Sequence, residues 1–138
     1  MTQVLTDTSY FVALYNHKDE FHKKVTEWAE IIETEGITCH ITIPILFEVG
    51  DGFARLNRRE RGMDLIQNIL HGSNFIVHAF SKALCEKALD IYVRSRDKEW
   101  GLTDCYSFQL MTEQRLADAL TSDPHFRQYG FNLLLTKP

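Results

Sequence analysis

Short β-branched and apolar runs alternate with longer stretches of helical period along almost the whole chain, and this alternation limits the fold more than any other feature. Residues 4–6 form the first such run and end at Asp7. Residues 8–34 read as helical, in two pieces broken near Asn16 and His17. In the second piece Phe21, Val25, Trp28 and Ile32 recur at spacings of three and four. Gly36 ends it, as helix-terminal glycines do. Residues 37–41 are strand-like. Pro44 suits the first turn of a helix, where its missing N–H costs nothing, and that helix carries Ile45, Leu46, Val49, Phe53 and Leu56 along one side. Residues 60–71 form another helix, closed by Gly72. Residues 75–78 are a strand. Ser81 caps a helix that turns Leu84, Ala88, Ile91 and Tyr92 inward. A loop over 97–103 leads to a helix capped by Thr103 or Asp104 and running to about Gln114. Residues 117–121 read as a strand, 124–129 as a helical turn and 131–135 as a last strand. Strands alternating with helices imply right-handed βαβ crossovers and a parallel sheet covered on both faces.

A chain of 138 residues is one domain's worth, and no Pro/Ser-rich linker or repeat divides it, so residues 1–138 are expected to form a single domain. The hydrophobic content of 44% is ample for a core. No apolar run reaches the roughly 18 to 20 residues of a membrane span, and the start lacks the basic and apolar regions of a signal peptide. No membrane association and a cytoplasmic location are therefore expected. The cysteines, Cys39, Cys85 and Cys105, are odd in number and form no CxxC pair, so structural zinc and a disulfide framework are not indicated. The six histidines are scattered, which argues against a histidine metal site.

Four acids share one kind of position. Asp7 and Asp123 follow strand runs, Asp104 opens a helix after a loop, and Glu48 lies one turn into the helix after the second strand. Open parallel sheets bind ligands beyond the carboxyl ends of their strands, so all four are expected at one edge. Packed carboxylates repel and raise one another's pKa. A divalent cation relieves this, and hard oxygen ligands suit Mg²⁺ or Mn²⁺. The net charge of −4 argues mildly against a nucleic-acid binder, although cations held by these acids would bring the effective charge to roughly −2 or 0. Taken singly, each acid also has a plain reading. Asp7, Asp104 and Asp123 suit helix caps, and Glu48 suits a solvent-facing position.

The motifs around these acids resemble the PIN-domain family over essentially the whole chain. Leu5-Thr6-Asp7-Thr8-Ser9, Phe47-Glu48-Val49 and Leu102-Thr103-Asp104-Cys105 resemble its first three acidic motifs. The run from Ala119 through Asp123-Pro124-His125-Phe126, with Gly130-Phe131 after it, resembles the fourth and is the most specific. Separations of 41, 56 and 19 residues suit one compact domain of this kind. Pro124 departs from the family pattern. The resemblance implies a three-layer α/β/α fold with a mainly parallel sheet and a Mg²⁺- or Mn²⁺-dependent endoribonuclease. It also implies frequent homodimers and, at this length, VapC-like toxins that pair with an antitoxin protein. The implied reaction is phosphodiester hydrolysis of RNA, leaving a 5′-phosphate and a 3′-hydroxyl, with Asp7 and Asp104 as direct metal ligands and Glu48 and Asp123 completing the set or orienting water. A non-catalytic PIN-fold module that binds RNA or docks a partner is the alternative. Phosphotransfer through Asp7 is disfavoured, because Ser9 stands where a second aspartate would be needed.

Supporting residues follow from spacing. Gly52 and Arg55, four and seven residues after Glu48, would share its helical face. Gly52 would leave room for a phosphate backbone that Arg55 contacts. Asp51 reads as an additional carboxylate behind the site or as a surface acid. Ser9 and Ser107 read as holders of a metal-bound water or as ordinary helix-start hydroxyls. The run from Arg55 to Arg61 is the densest basic stretch, either tracking RNA or complementing a helix dipole. Arg94, Arg96 and Lys98 are candidates for the opposite rim. Trp100 stacks on a base or packs, Trp28 belongs to the core or a dimer interface, and His125 reads as structural rather than catalytic.

Overall fold

The computed structural model describes residues 1–137. The chain runs β1 (Gln3–Thr6), α1 (Thr8–Tyr15), α2 (His22–Glu35), β2 (Thr38–Thr42), α3 (Ile43–Gly52), α4 (Arg59–His71), β3 (Phe75–His78), α5 (Lys82–Arg94), α6 (Leu102–Gln114), β4 (Asp118–Leu120), α7 (Pro124–Tyr129) and β5 (Asn132–Leu133). The strands pair in the order β3-β2-β1-β4-β5, and every pairing is parallel.

This order decides where a ligand can sit. From β1 the chain steps outward through β2 to β3, then returns past β1 to add β4 and β5 on the other side. Right-handed crossovers send the early helices to one face and α5, α6 and α7 to the other. On the first face Phe11 of α1 meets Phe75 of β3 at 6.1 Å between ring centroids. On the second, Phe108 of α6 packs edge-on against Phe126 and stacks on Tyr129, both of α7. Between the layers Val4, Leu5, Ile41, Ala119 and Leu120 are almost fully buried, as two-faced parallel strands require. The three-layer α/β/α architecture agrees with the sequence reading. No helix among the described residues is long and apolar enough to cross a membrane.

Several local expectations need correction. α3 stops at Gly52, with Phe53 as its C-cap. Leu56, expected on the apolar side of that helix, lies in the following turn and is 92% exposed. Tyr92 of α5 is half-exposed rather than inward. Neither Thr103 nor Asp104 caps α6. Gly101 is the N-cap, and Asp104, at the third helical position, accepts a hydrogen bond from the Gly101 N–H at 3.1 Å. β4 and β5 are shorter than the runs 117–121 and 131–135, although backbone hydrogen bonds from the Asn132 N–H to the Ala117 carbonyl and from the Leu135 N–H to the Thr121 carbonyl join the two segments beyond the strands themselves.

α3 can stop where it does because α4 comes very close. A Cβ built on Gly62 would lie 2.6 Å from Cβ of Phe53, a contact that only glycine permits. Gly62→Ala would gain about 1 kcal/mol of helix propensity, yet it must push Phe53 off its seat at a cost of roughly 1–3 kcal/mol. A net fall in the urea midpoint is the expected outcome, and an unchanged or higher midpoint would show that the α3–α4 approach relaxes freely.

Candidate active site

β1 and β4 are neighbours, and on either side of them the chain winds in opposite directions. The crevice beyond their carboxyl ends is thus the switch point at which such sheets bind ligands. Asp7 follows β1 directly, and its N–H donates to the Leu120 carbonyl of β4 at 3.3 Å. Asp123 follows β4 within the loop that opens α7. Glu48 reaches the crevice from α3 and Asp104 from the first turn of α6. All four line one open cleft of about 610 Å³, together with Asp19 and Asp51.

Asp7 holds the N-cap position of α1 but makes no side-chain capping bond to it. Instead its Oδ2 accepts from the Thr121 hydroxyl at 2.8 Å. Thr121 has one hydroxyl proton, and it is committed to Asp7. The 3.1 Å contact between Ser9 Oγ and Thr121 Oγ1 must therefore run from Ser9 to Thr121. Ser9 in turn accepts from the Ser122 N–H at 3.1 Å, and Thr121 Oγ1 accepts from the Asp123 N–H at 3.0 Å. The result is an ordered chain of donors that ties the start of α1 to the loop after β4 and ends on a carboxylate.

The other acids are held as firmly. Thr8 Oγ1 donates to Glu48 Oε1 at 2.8 Å. Asp123 caps α7, its Oδ1 accepting from the His125 N–H at 3.0 Å. His125 Nδ1 stands 2.9 Å from Asp104 Oδ2 and 3.4 Å from Asp123 Oδ1. A ring nitrogen facing two carboxylates must carry a hydrogen, so the imidazole links the third and fourth acids. Ligand atoms of Asp104, Asp123 and His125 lie within 4.8 Å of one another.

Among the described residues no lysine or arginine lines this cleft. The cost falls on Asp7, whose pKa rises from 3.8 to about 6. Burial is the main cause. The Thr121 hydroxyl and the Thr8 backbone pull the value down, while the charges of Asp104 and Glu48 push it up. Hard oxygen donors lacking a counter-charge, one of them driven toward its neutral form, fit a divalent cation. Asp7, Glu48, Asp104 and Asp123 are the residues that would hold it.

The structure sorts the supporting residues. Ser9 lines the cleft as a member of the hydroxyl chain. Ser107 does not line it. The residue is 1% exposed within α6, and its Oγ has no hydrogen-bond partner among the described residues. Arg55 also falls outside, because α3 ends three residues before it and the assumed helical face is lost. Asp51, read either way from the sequence, does line the cleft. Arg94 pairs with Asp90 and Lys98 with Asp97, away from the acids. Trp100 packs edge-on against Phe108 and Tyr129 and donates its N–H to Gln128. Trp28 packs against the core. Sequence reasoning missed Asp19, which sits in the turn between α1 and α2, and the bridging place of His125. The roles of Thr8 and Thr121 were equally hidden, although both lie inside the quoted motifs.

A family model described as PIN domain matches residues 4–132. No curated protein matches the sequence. Among solved structures, the Mycobacterium tuberculosis toxin VapC20, described as Sarcin-Ricin loop cleaving, superposes with a TM-score of 0.77 at 23% identity, covering 98% of this chain and 99% of that one. VapBC2 from Rickettsia felis, bound to a DNA fragment from its promoter, gives 0.67 at 16% identity over 95% and 96% of the two chains. FitAcB from Neisseria gonorrhoeae gives 0.63 at 16% identity over 94% and 95%. At these identities the likeness is one of fold.

The raised pKa of Asp7 has a stability consequence when chelator keeps cations away. Protonated Asp7 favours the folded state, fully so below the unfolded value of 3.8, and this contribution is lost as pH rises through about 6. His40 and His78, in contact at 2.8 Å, have pKa values lowered chiefly by burial, so their contribution fades in the opposite direction, on acidification. The difference between parent and Asp7→Asn isolates the aspartate. In EDTA the variant is expected to be more stable at pH 7 to 8, by up to about 3 kcal/mol, with the gain vanishing near pH 4. Denaturation midpoints across that range would check it, and a parent–variant gap independent of pH would contradict it.

Proposed function

The chain belongs to the PIN domain family, and on that premise we propose that it is a Mg²⁺- or Mn²⁺-dependent endoribonuclease formed by a single domain spanning residues 1–138. The observation that carries this reading is the cleft itself. Four acids from four separate segments line one crevice at the switch point, among the described residues no lysine or arginine lines it, and one acid is pushed toward neutrality. That arrangement is costly in water and sensible around a cation.

When bound, a divalent cation supplies Lewis acidity, which makes a water nucleophile available near neutral pH and offsets charge growing on the phosphate oxygens. The protein's own residues set the geometry. Thr121 and Ser9 lock the Asp7 carboxylate in one orientation. Thr8 does the same for Glu48. His125 spaces Asp104 and Asp123. Asp7 and Asp104 are the proposed direct ligands. Glu48 and Asp123 complete the set or accept a hydrogen bond from the attacking water. Oxygen of that water bonds to phosphorus as the bond to the 3′-oxygen breaks, leaving a 5′-phosphate and a 3′-hydroxyl.

The solved neighbours include one described as a Sarcin-Ricin loop cleaving toxin and another, VapBC2, bound to DNA. By that likeness the chain is proposed to be the toxin of a toxin–antitoxin pair, with RNA as substrate and an antitoxin protein as partner. A homodimer is also proposed. Leu89, Tyr92 and Val93 of α5 are half-exposed, as are Ile76 and Phe80, and β3 is an edge strand with one side unpaired. Side chains of this kind favour interfaces.

Three experiments test these statements. Single-stranded RNA of mixed sequence should be cut with Mn²⁺ or Mg²⁺ and left intact in EDTA. Asp104→Asn keeps a side-chain oxygen for the Gly101 N–H but removes a charge, so cleavage and Mn²⁺ affinity by calorimetry should fall by orders of magnitude while the metal-free melting temperature holds or rises. Normal cleavage by the Asn variant would remove Asp104 from the reaction. Separately, light scattering at micromolar concentration should report twice the chain mass, and a monomer mass would discard the dimer.

A further inference from the structure

We propose that a groove beside the acid cleft, walled by α1 and by the turn joining α3 to α4, binds the phosphate backbone of single-stranded RNA through Arg58 and Arg61. The proposal rests on the ribonuclease reading above and supplies what the cleft lacks.

The groove, of about 260 Å³, is lined by Val12, Tyr15, Gly52, Phe53, Arg58 and Arg61. Val12 also lines the acid cleft, and Gly52 follows Asp51 of that cleft in the chain, so the two depressions adjoin. A polyanion approaching six carboxylates on a chain of net charge −4 is repelled unless fixed cations meet it at the margin. Here the margin carries two arginines. Both are exposed, and among the described residues neither forms an ion pair.

Folding does not account for them. The sequence alone allows this basic run to complement the carboxyl end of a helix. In the structure Arg58 is the N-cap of α4, and Arg59 and Arg61 lie in its first turn, at the end where the helix dipole disfavours cations. Arg58 makes no side-chain capping bond either. Residues that oppose the dipole, cap nothing and pair with nothing need another partner, and an anion is the partner their chemistry selects.

The walls suit a strand. A Cβ on Gly52 would touch nothing within 4 Å, so that position stays open to the groove without being needed for packing. The turn bearing the arginines is pinned to α3 by the Gly62–Phe53 approach. Tyr15 is seated edge-on against Phe53 at 5.6 Å, giving a rigid aromatic wall against which a base can lie.

The test uses a fluorescein-labelled single-stranded RNA and chain carrying Asp104→Asn, with Mg²⁺ present. Adding Arg58→Gln and Arg61→Gln should weaken binding alike for unrelated sequences. The slope of log affinity against log salt should become shallower by about 0.7 for each arginine. The melting temperature should hold or rise, since charges opposing the dipole are gone, and Mn²⁺ affinity in the otherwise unaltered chain should not change. Lysine at both positions keeps the charge and should restore the slope. In the active chain the Gln pair should raise KM with little change in kcat. Absence of RNA binding by the Asp104→Asn chain overturns the proposal. So does a salt slope that the Gln pair leaves unchanged, or a Lys pair as weak as the Gln pair. If an acidic peptide loses affinity on the Gln substitutions while RNA does not, the groove belongs to a protein. Failure of the unaltered chain to cut RNA would strike the ribonuclease reading instead, because the binding comparison needs no turnover.

Discussion

Everything near the cleft depends on the parallel pairing of β1 with β4. These strands come from opposite ends of the chain, and setting them side by side makes the backbone wind outward in both directions from one line. No helix can cover the carboxyl ends of the strands there, because the crossovers diverge to opposite faces. The pairing also brings Thr121 beneath Asp7, a contact between residues 114 apart in sequence. The hydroxyl chain through Ser9 then fixes the loop that carries Asp123.

The same pairing creates an electrostatic problem. Carboxylates delivered from β1, α3, α6 and the loop after β4 converge where water is partly excluded. The protein meets this in three ways. Hydroxyl donors serve Asp7 and Glu48, an imidazole serves Asp104 and Asp123, and Asp7 is shifted toward its neutral form, chiefly by burial and further by the charges of Asp104 and Glu48. None of these substitutes for a full positive charge inside the cleft. Arg58 and Arg61 line the adjoining groove, at the N-cap and first turn of α4, where they oppose the dipole of their own helix.

Much of the fold was legible because its signals are local. The helical recurrence of Val25, Trp28 and Ile32, the β-branched run into Cys39 and Ile41, and Pro44 in the first turn of α3 are statements about near neighbours. The positions of Asp7 and Asp123 after strands, of Asp104 in the first turn of α6 and of Glu48 farther along α3 were legible for the same reason. Errors arose where a distant contact overrode the local pattern. The apolar face through Phe53 to Leu56 looked continuous, but the approach of Gly62 to Phe53 turns the chain after Gly52, and Arg55 leaves the face with it. Ser107 has helical spacing from Asp104, yet burial takes it out of the cleft.

The sequence by itself determined the order and type of the elements and placed acids just after strands or near the starts of the helices that follow, since periodicity, capping and breaker residues act over a few positions. Only the tertiary structure decided which acids share a cleft, which hydroxyl orders Asp7, that His125 bridges two carboxylates, and that Arg58 and Arg61 line a groove at the start of α4 rather than complementing a helix carboxyl end. Those facts are contacts between segments tens of residues apart or more, and they exist only once burial of the apolar strands has brought the segments together.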